Sequence, residues 1–145
     1  MKTLISKKDK IIKLESESAN YNSWILTDRQ VCDLELLLNG AFSPLDGFMD
    51  ESNYRSVLEN MRLKDGSLWP IPITLDVSDE FVKKINQCNK ITLKDKEGFS
   101  LAVLTITDIW RPNLDDEAIS VYKTLDQSHP ALNYLYNVGY KNYIG

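Results

Sequence analysis

The chain has 145 residues, 43% hydrophobic and 26% charged, a composition typical of one globular domain with a buried core. Its apolar stretches are far shorter than the ~20 residues that cross a bilayer, and no apolar region follows the N-terminal lysines as in a signal peptide, so a soluble cytoplasmic protein is expected. The net charge is −4. Beyond the first thirteen residues the chain has 12 basic and 20 acidic side chains, and this acidic excess disfavours binding to nucleic acid.

The N-terminal part is predicted to hold one helix after a loose segment. Residues 1–20 are polar and expected to be loosely ordered, although Ile11, Ile12 and Leu14 could form a short edge strand. Thr27 and Gln30 form the ends of a capping box, which predicts a helix that starts there and stops at Gly40.

An apolar loop and a second helix follow. The loop runs over residues 40–49, and Ser43 is pushed toward extended backbone because it precedes proline. Tyr54, Val57, Leu58 and Met61 share one helical face, which predicts a helix from about residue 51 to 61.

The middle of the chain is predicted to be mostly strand. Apolar residues alternate from Trp69 to Val77, where Pro70 and Pro72 require a sheet edge for the first half. Ser78 is expected to cap a helix over residues 79–86.

A pair of strands comes next, over residues 90–95 and 99–107, around a turn that contains Gly98. The second strand is apolar on both faces, so we expect it to be central and covered.

The C-terminal part is predicted to hold two helices and the start of a strand. Apolar spacing from Leu114 to Leu125 indicates one helix, and Ser128-His129-Pro130 begins another that Gly139 ends. Residues 140–145 open a strand, which suggests truncation at a domain junction.

Motifs that carry chemistry are weak in this sequence. It has neither Gly-x-Gly-x-x-Gly nor a Walker-type loop, and its one histidine, His129, is interpreted as a capping or surface residue. Asp115, Asp116 and Glu117 are interpreted as acids that favour the positive end of a helix dipole, in preference to a metal-binding cluster. Cys32 and Cys88 lack metal or disulfide spacing, and Cys32 is expected to be a buried thiol.

Aromatic and basic residues allow further interpretations. The tryptophans could stack on bases, but Trp69 lies on a period-two apolar face and is expected in the core. The N-terminal lysines could bind anions, although a solvated tail is the simpler interpretation.

The loop after the first helix is the candidate interaction site. It gathers apolar side chains outside regular structure, and it could either fold into the core or dock on a surface absent from this chain. The candidate interface residues are Phe42, Ser43, Pro44, Leu45, Gly47 and Phe48.

Three ordered blocks resemble the N-terminal region of ATP sulfurylases (sulfate adenylyltransferases). They run from Leu26 to Met49, from Arg62 to Val77, and from His129 to Asn137, and the resemblance that they carry in this order extends from Trp24 to Gly145. Ala41 stands where that family usually has a second glycine, and residues 138–143 depart modestly from its junction segment.

The resemblance implies an α+β, PUA-like mixed β-barrel with flanking helices over residues 21–145. It implies that this chain is a non-catalytic module, inactive alone, that supports a sulfurylase catalytic domain in cis or in trans. The Gln-x-Arg-Asn, His-x-x-His and Gly-Arg-Asp-His segments of that domain are missing here. No catalytic residue, metal or cofactor is therefore assigned, and ATP and Mg²⁺ are expected only for a full-length parent.

Two alternatives stay open at this point. PUA domains elsewhere bind RNA, which the acidic charge of the body opposes. A stand-alone small enzyme or small-molecule binder could use a pocket of the barrel.

Overall fold

The computed structural model describes residues 3–145, which divide into two compact units. The first unit comprises the residues up to Phe48 together with Lys83–Thr107, and the second comprises Met49–Val82 and Asp108–Gly145. Each unit is built from two separate stretches of chain, and each contains one sheet of three strands. The expected α+β class is confirmed.

The elements follow one another in this order: α1 (Lys8–Ser18), β1 (Ser23–Ile25), α2 (Asp28–Leu38), α3 (Glu51–Asn60), β2 (Leu75–Val77), α4 (Asp79–Lys84), β3 (Lys90–Lys94), β4 (Ser100–Thr105), β5 (Ile109–Trp110), α5 (Leu114–Glu117), α6 (Pro130–Asn133) and β6 (Asn142–Ile144). Two π-helical turns, Ala118–Tyr122 and Tyr134–Val138, continue α5 and α6 respectively.

The sheet of the first unit is mixed and has the strand order β1-β3-β4. Strand β1 runs parallel to β3 with Trp24 beside Leu93, and β4 runs antiparallel to β3 with Leu104 beside Ile91. A bulge interrupts the β3–β4 register after Leu93. The core of this unit includes the buried residues Trp24, Leu26, Leu34, Leu37, Ile91 and Leu93.

The capping box at the start of α2 is confirmed. The Thr27 hydroxyl accepts from the main-chain N–H of Gln30, and the Gln30 side chain accepts from the N–H of Thr27. The same Gln30 oxygen accepts a hydrogen bond from Trp24 Nε1 at 3.0 Å, and Gln30 is 1% exposed. The cap therefore also satisfies the buried indole N–H.

The sheet of the second unit is antiparallel and has the order β2-β6-β5. Strand β6 lies in the middle, with Asn142 beside Val77 on one side and Tyr143 beside Trp110 on the other. Gly145 continues this pairing, since its N–H and C=O both bond to the backbone of Asp108. The core of this unit includes the buried residues Val57, Leu75, Val77, Leu132, Tyr143 and Ile144.

Several predicted elements are confirmed, with bounds that differ from the expected ones by a few residues. They are the helix that became α3, the strands β3 and β4, the helices that became α5 and α6 with their π-helical continuations, and the final strand β6. Ser78 caps α4 as expected, because its hydroxyl accepts from the N–H of Phe81 at 3.2 Å.

Strand β4 was placed wrongly in the sequence analysis. It is an edge strand instead of a central one, and Leu101 is 39% exposed. The apolar residues on both of its pleats suggested cover on both faces, but the central position belongs to β3, where Ile91, Thr92 and Leu93 are all buried.

The predicted strand from Trp69 to Val77 is also mostly wrong. Only Leu75–Val77 is strand, and the residues before it are irregular. Pro70 and Pro72 have no N–H to donate to a ladder, and burial does not alternate here, since Ile71 is exposed while Pro72 and Ile73 are both buried. Trp69, expected in the core, is half-buried.

Two further expectations fail near the N-terminus. The segment with Ile11, Ile12 and Leu14 forms helix α1 instead of an edge strand, since these residues recur at helical spacing among lysines and acids. Cys32 is exposed instead of buried, because it lies on the outer side of α2 between the core residues Gln30 and Leu34. Among residues 3–145, no helix is long and apolar enough to cross a membrane.

Candidate functional site

The loop after α2 is held by its own backbone. Gly40 has φ of 86°, a conformation that favours glycine, and its carbonyl accepts from the N–H of Ser43 at 3.1 Å. The N–H of Phe42 bonds to the carbonyl of Leu36, and the N–H of Leu45 bonds to that of Phe42. The Ser43–Pro44 peptide bond is cis. The loop is thus a folded turn at the end of α2.

Its apolar side chains differ in exposure. Pro44 is exposed, whereas Phe42, Leu45 and Gly47 are half-buried and Phe48 is only 6% exposed. Ser43 is half-buried too. Phe48 therefore belongs to the core, and the exposed part of the loop is the part around Pro44.

The second unit contains a buried polar cluster that no sequence pattern predicts. Glu117 is 7% exposed, and its Oε1 accepts from the Tyr54 hydroxyl at 2.7 Å and from the Tyr143 hydroxyl at 3.0 Å. Burial, followed by the nearby Glu117 charge, raises the pKa of both tyrosines, so both hydroxyls keep their protons. The cluster ties α3, α5 and β6 together.

Trp110 completes this cluster through its ring. Its ring centroid lies 5.6 Å from that of Tyr54 and 5.8 Å from that of Tyr143, with the second pair edge to face. Among residues 3–145, the buried indole Nε1 has no hydrogen-bond partner. Because these residues are up to 89 positions apart (Tyr54 to Tyr143), no local sequence pattern brings them together.

Two of the three acids at Asp115-Asp116-Glu117 accept hydrogen bonds from tyrosine hydroxyls, and Asn113 caps the helix in which they lie. Asn113 Oδ1 accepts from the N–H groups of Asp115 and Asp116, and Asp115 accepts from the Tyr136 hydroxyl. That hydrogen bond raises the pKa of Tyr136 to about 12. Within residues 3–145, no three His, Cys, Asp or Glu side chains are grouped so that they could hold a metal ion.

His129 has the capping role that was expected. It precedes α6, and its Nδ1 accepts from the N–H of Ala131 at 3.2 Å, while Pro130 takes the first helical position. Its ring centroid lies 5.6 Å from that of Tyr122.

Asp76 and Asp79 fix the approach to β6. Asp76 Oδ2 accepts from the N–H of Tyr140 at 2.8 Å, and Asp79 Oδ1 accepts from the Asn142 side chain at 2.6 Å. Arg111 lies 3.4 Å from the same Asp79 oxygen. These contacts position the final strand and are structural in character.

The first unit also contains an open groove of about 530 Å³. All six residues of β4 line it, together with side chains of α1 and α2 and residues 4–6. Its polar lining residues include Lys10, Glu15, Asp46 and Lys90. No local pattern in the sequence predicts this groove, because β4 is distant along the chain from residues 4–6, α1 and α2.

A family model described as a PUA-like domain matches residues 1–145. The chain belongs to the PUA-like domain family. This PUA-like domain is 44% identical over 140 residues to the sulfate adenylyltransferase of Kluyveromyces lactis, which covers 97% of this chain and 28% of that protein. It is 45% identical over 139 residues to the enzyme of Saccharomyces cerevisiae, covering 96% of this chain and 27% of that protein. The enzyme of Aspergillus fumigatus is 47% identical over 136 residues, covering 92% of this chain and 24% of that protein.

A solved structure agrees with these sequence relatives. The hexameric APS kinase from Thiobacillus denitrificans superposes on 78% of this PUA-like domain with a TM-score of 0.71 and 37% identity, using 23% of its own chain. The PUA-like domain thus spans about a quarter of the length of the proteins it matches. The resemblance stated from the sequence blocks is confirmed.

Proposed function

We propose that this chain acts as the non-catalytic N-terminal module of a sulfate adenylyltransferase, where it supports the domain that transfers an adenylyl group from ATP to sulfate. One observation carries the proposal: identity of 44–47% extends over almost the whole chain, while the match takes only 24–28% of each of these relatives. This pattern supports the role of one module, with the catalytic domain of each relative in the three quarters that this chain does not match.

The side-chain contacts of the described residues favour the role of a non-catalytic module. In the second unit, buried Glu117 accepts from tyrosine hydroxyls, buried Asp76 accepts from the N–H of Tyr140, and the exposed His129 caps α6. We assign ATP and Mg²⁺ to the partner domain, and this assignment is part of the proposal. Cytoplasmic location and the lack of RNA binding stay predictions.

A domain exchange tests the proposal directly. The matching N-terminal quarter of the Saccharomyces enzyme is replaced by this chain, and adenylyl transfer is measured as sulfate-dependent exchange between ATP and pyrophosphate. We expect activity within about tenfold of the parent enzyme, and no exchange from this chain alone. A folded but inactive exchange protein, or exchange by the isolated chain, would contradict the proposal.

The loop after α2 is the surface that we propose for docking on the catalytic domain. Because Pro44 is exposed and Leu45 half-buried, substitution of Leu45 by Ser should weaken docking while the module stays folded. Phe48→Ser serves as the contrast, because it removes a core side chain and should cost ~3 kcal/mol of folding free energy. Binding of each variant to the separately produced catalytic part measures the difference. Equal loss of folding in both variants would sink this assignment.

A further inference from the structure

Asn39 and Gly40 form the one Asn-Gly pair in the sequence. Asparagine is a thermolabile residue, because the next main-chain nitrogen can attack its side-chain carbonyl carbon and release ammonia. Glycine at the following position favours this reaction, since it has no side chain to shield its nitrogen and its backbone turns freely. The pair lies where α2 ends, with Asn39 exposed and Gly40 buried.

The folded backbone holds the two reacting atoms apart. Asn39 has ψ of −6°, so the nitrogen of Gly40 lies on the side of the main-chain nitrogen of Asn39 and is turned away from its side chain. The Oδ1 atom of Asn39 accepts from the N–H of Ala41 at 2.8 Å, which fixes the carboxamide in place. Attack on the side chain therefore requires rotation about the Cα–C bond of Asn39.

Hydrogen bonds of the next residue oppose that rotation. Gly40 donates its N–H to the carbonyl of Leu37 at 3.3 Å, and its own carbonyl accepts from the N–H of Ser43 at 3.1 Å. The rotation moves Gly40, so both bonds must break first. The bond to Leu37 is longer than the usual N–H···O distance of about 2.7–3.2 Å, so the last turn of α2 should open more readily than the helix interior.

The segment before α1 restrains the same turn from the other side. The N–H of Leu4 and the hydroxyl of Thr3 both donate to the carbonyl oxygen of Leu38, at 2.8 Å and 2.9 Å respectively. That oxygen belongs to the peptide unit that joins Leu38 to Asn39. A contact between residues 35 positions apart thus helps to hold the end of α2 closed.

We propose that Asn39 is a modification site at which the chain deamidates spontaneously, at a rate set by the opening of the last turn of α2. The nitrogen of Gly40 loses its proton to solvent and bonds to Cγ of Asn39, while the bond from Cγ to Nδ2 breaks and Nδ2 takes up a proton and leaves as ammonia. Water then opens the cyclic imide at either carbonyl, which gives aspartate or isoaspartate. This inference goes beyond the proposed function and does not depend on it.

Either product should weaken the end of α2. The new carboxylate lies at the negative end of the helix dipole, and the last turn of α2 contains no basic residue to offset it. Isoaspartate also adds a methylene group to the main chain directly before the loop of residues 40–49. A converted chain should therefore melt at a lower temperature than the original one.

The test follows the conversion of Asn39 by mass spectrometry, since replacing an amide by an acid changes the mass of the fragment that contains it. The purified chain and a synthetic peptide of residues 36–43 are incubated side by side in mildly alkaline buffer. We expect conversion in both, roughly ten- to a hundredfold slower in the folded chain, and urea that unfolds the chain should remove the difference. Asn39→Gln has a longer side chain that cyclises more slowly, so the mass change should disappear.

A matched pair of variants tests the restraint from the segment before α1. Thr3→Val keeps the shape of the side chain but removes its hydrogen bond to Leu38, so conversion of Asn39 should become about threefold faster or more. Ser16→Ala removes an exposed hydroxyl that bonds within α1 to the carbonyl of Lys13, and it should leave the rate unchanged.

Three results would overturn the inference. The first is a folded chain in which Asn39 does not convert over about ten half-lives of the peptide. The second is an equal rate in the folded chain and in the peptide, which would show that the end of α2 does not control the reaction. The third is a rate that Thr3→Val leaves unchanged. The first two comparisons use the natural sequence, so they decide even if a variant fails to fold.

Discussion

Tyr143 shows how one hydroxyl supports a buried acid. It is 3% exposed, and it donates to Glu117 together with Tyr54. Tyr143→Phe keeps the ring but removes one of these donors, so the carboxyl group stays buried with weaker compensation. We expect a loss of ~1–3 kcal/mol in the free energy of unfolding, measured with urea. Tyr21→Phe, at a half-buried tyrosine of the other unit, should change it by less than ~0.5 kcal/mol.

Gly145 and Gly47 differ in how much room a side chain would have at each position. A Cβ added at Gly145 would lie 1.8 Å from the carbonyl oxygen of Met49, a main-chain atom, whereas a Cβ at Gly47 would meet nothing within 4 Å. Gly145→Ala must displace backbone and should cost ~3 kcal/mol or more. Gly47→Ala should be neutral within ~0.5 kcal/mol. Thermal unfolding of both variants compares them, and similar melting temperatures would show that the approach of Met49 is looser than described.

Helix α2 carries the next prediction, at the scale of an element. Thr27→Ala removes one capping hydrogen bond and should cost ~1 kcal/mol. Gln30→Ala removes the reciprocal bond and also leaves the buried Trp24 indole N–H without that acceptor, so the cost should be ~2–3 kcal/mol. Urea unfolding of both variants ranks them. A larger effect of Thr27→Ala would mean that Gln30 contributes only to the cap.

The elements also show which signals in the sequence are reliable. Thr27 and Gln30 are three residues apart, so their interaction is local and the start of α2 was predicted correctly. The position of β4 depends on which strands pair, and the paired residues of β1 and β3 are 69 positions apart, as in Ser23 beside Thr92. Apolar residues on both pleats could not distinguish a central strand from an edge beside a groove. Proline at positions 70 and 72 blocked pairing despite the alternation of apolar residues in the sequence.

The assignment of the loop after α2 as an interface stays a prediction. Composition located the apolar residues after α2 correctly, but it could not tell that Phe48 lies in the core while Pro44 lies at the surface. The polar cluster around Glu117 had no local signal, because its tyrosines come from α3 and β6. Family resemblance supplied the overall fold, and the structure was needed to place these side chains.

At the scale of the whole molecule, stability should fall in alkaline solution. The folded state raises the pKa of Tyr54 and Tyr143 above the value of 10.0 expected when unfolded, with burial as the first cause. Stability that depends on their protons is therefore complete below about pH 10 and is lost as the pH rises above it. We expect the melting temperature to be level from pH 7 to 9 and to drop between pH 10 and 11. A Tyr143→Phe variant should show a shallower drop, and an equal one would assign the effect to other groups.

The central position of β6 has a consequence for synthesis on the ribosome. Strands β2 and β5 are synthesised before β6, and each of them pairs with β6 in the folded sheet. Their pairing can therefore form only after residues 142–144 have left the exit tunnel. During that interval the apolar faces of residues 75–77 and 109–110 are open to chaperones and to neighbouring nascent chains. Slow translation of the segment after Trp110 would lengthen this vulnerable period, so the yield of native protein should depend on the codons that encode it.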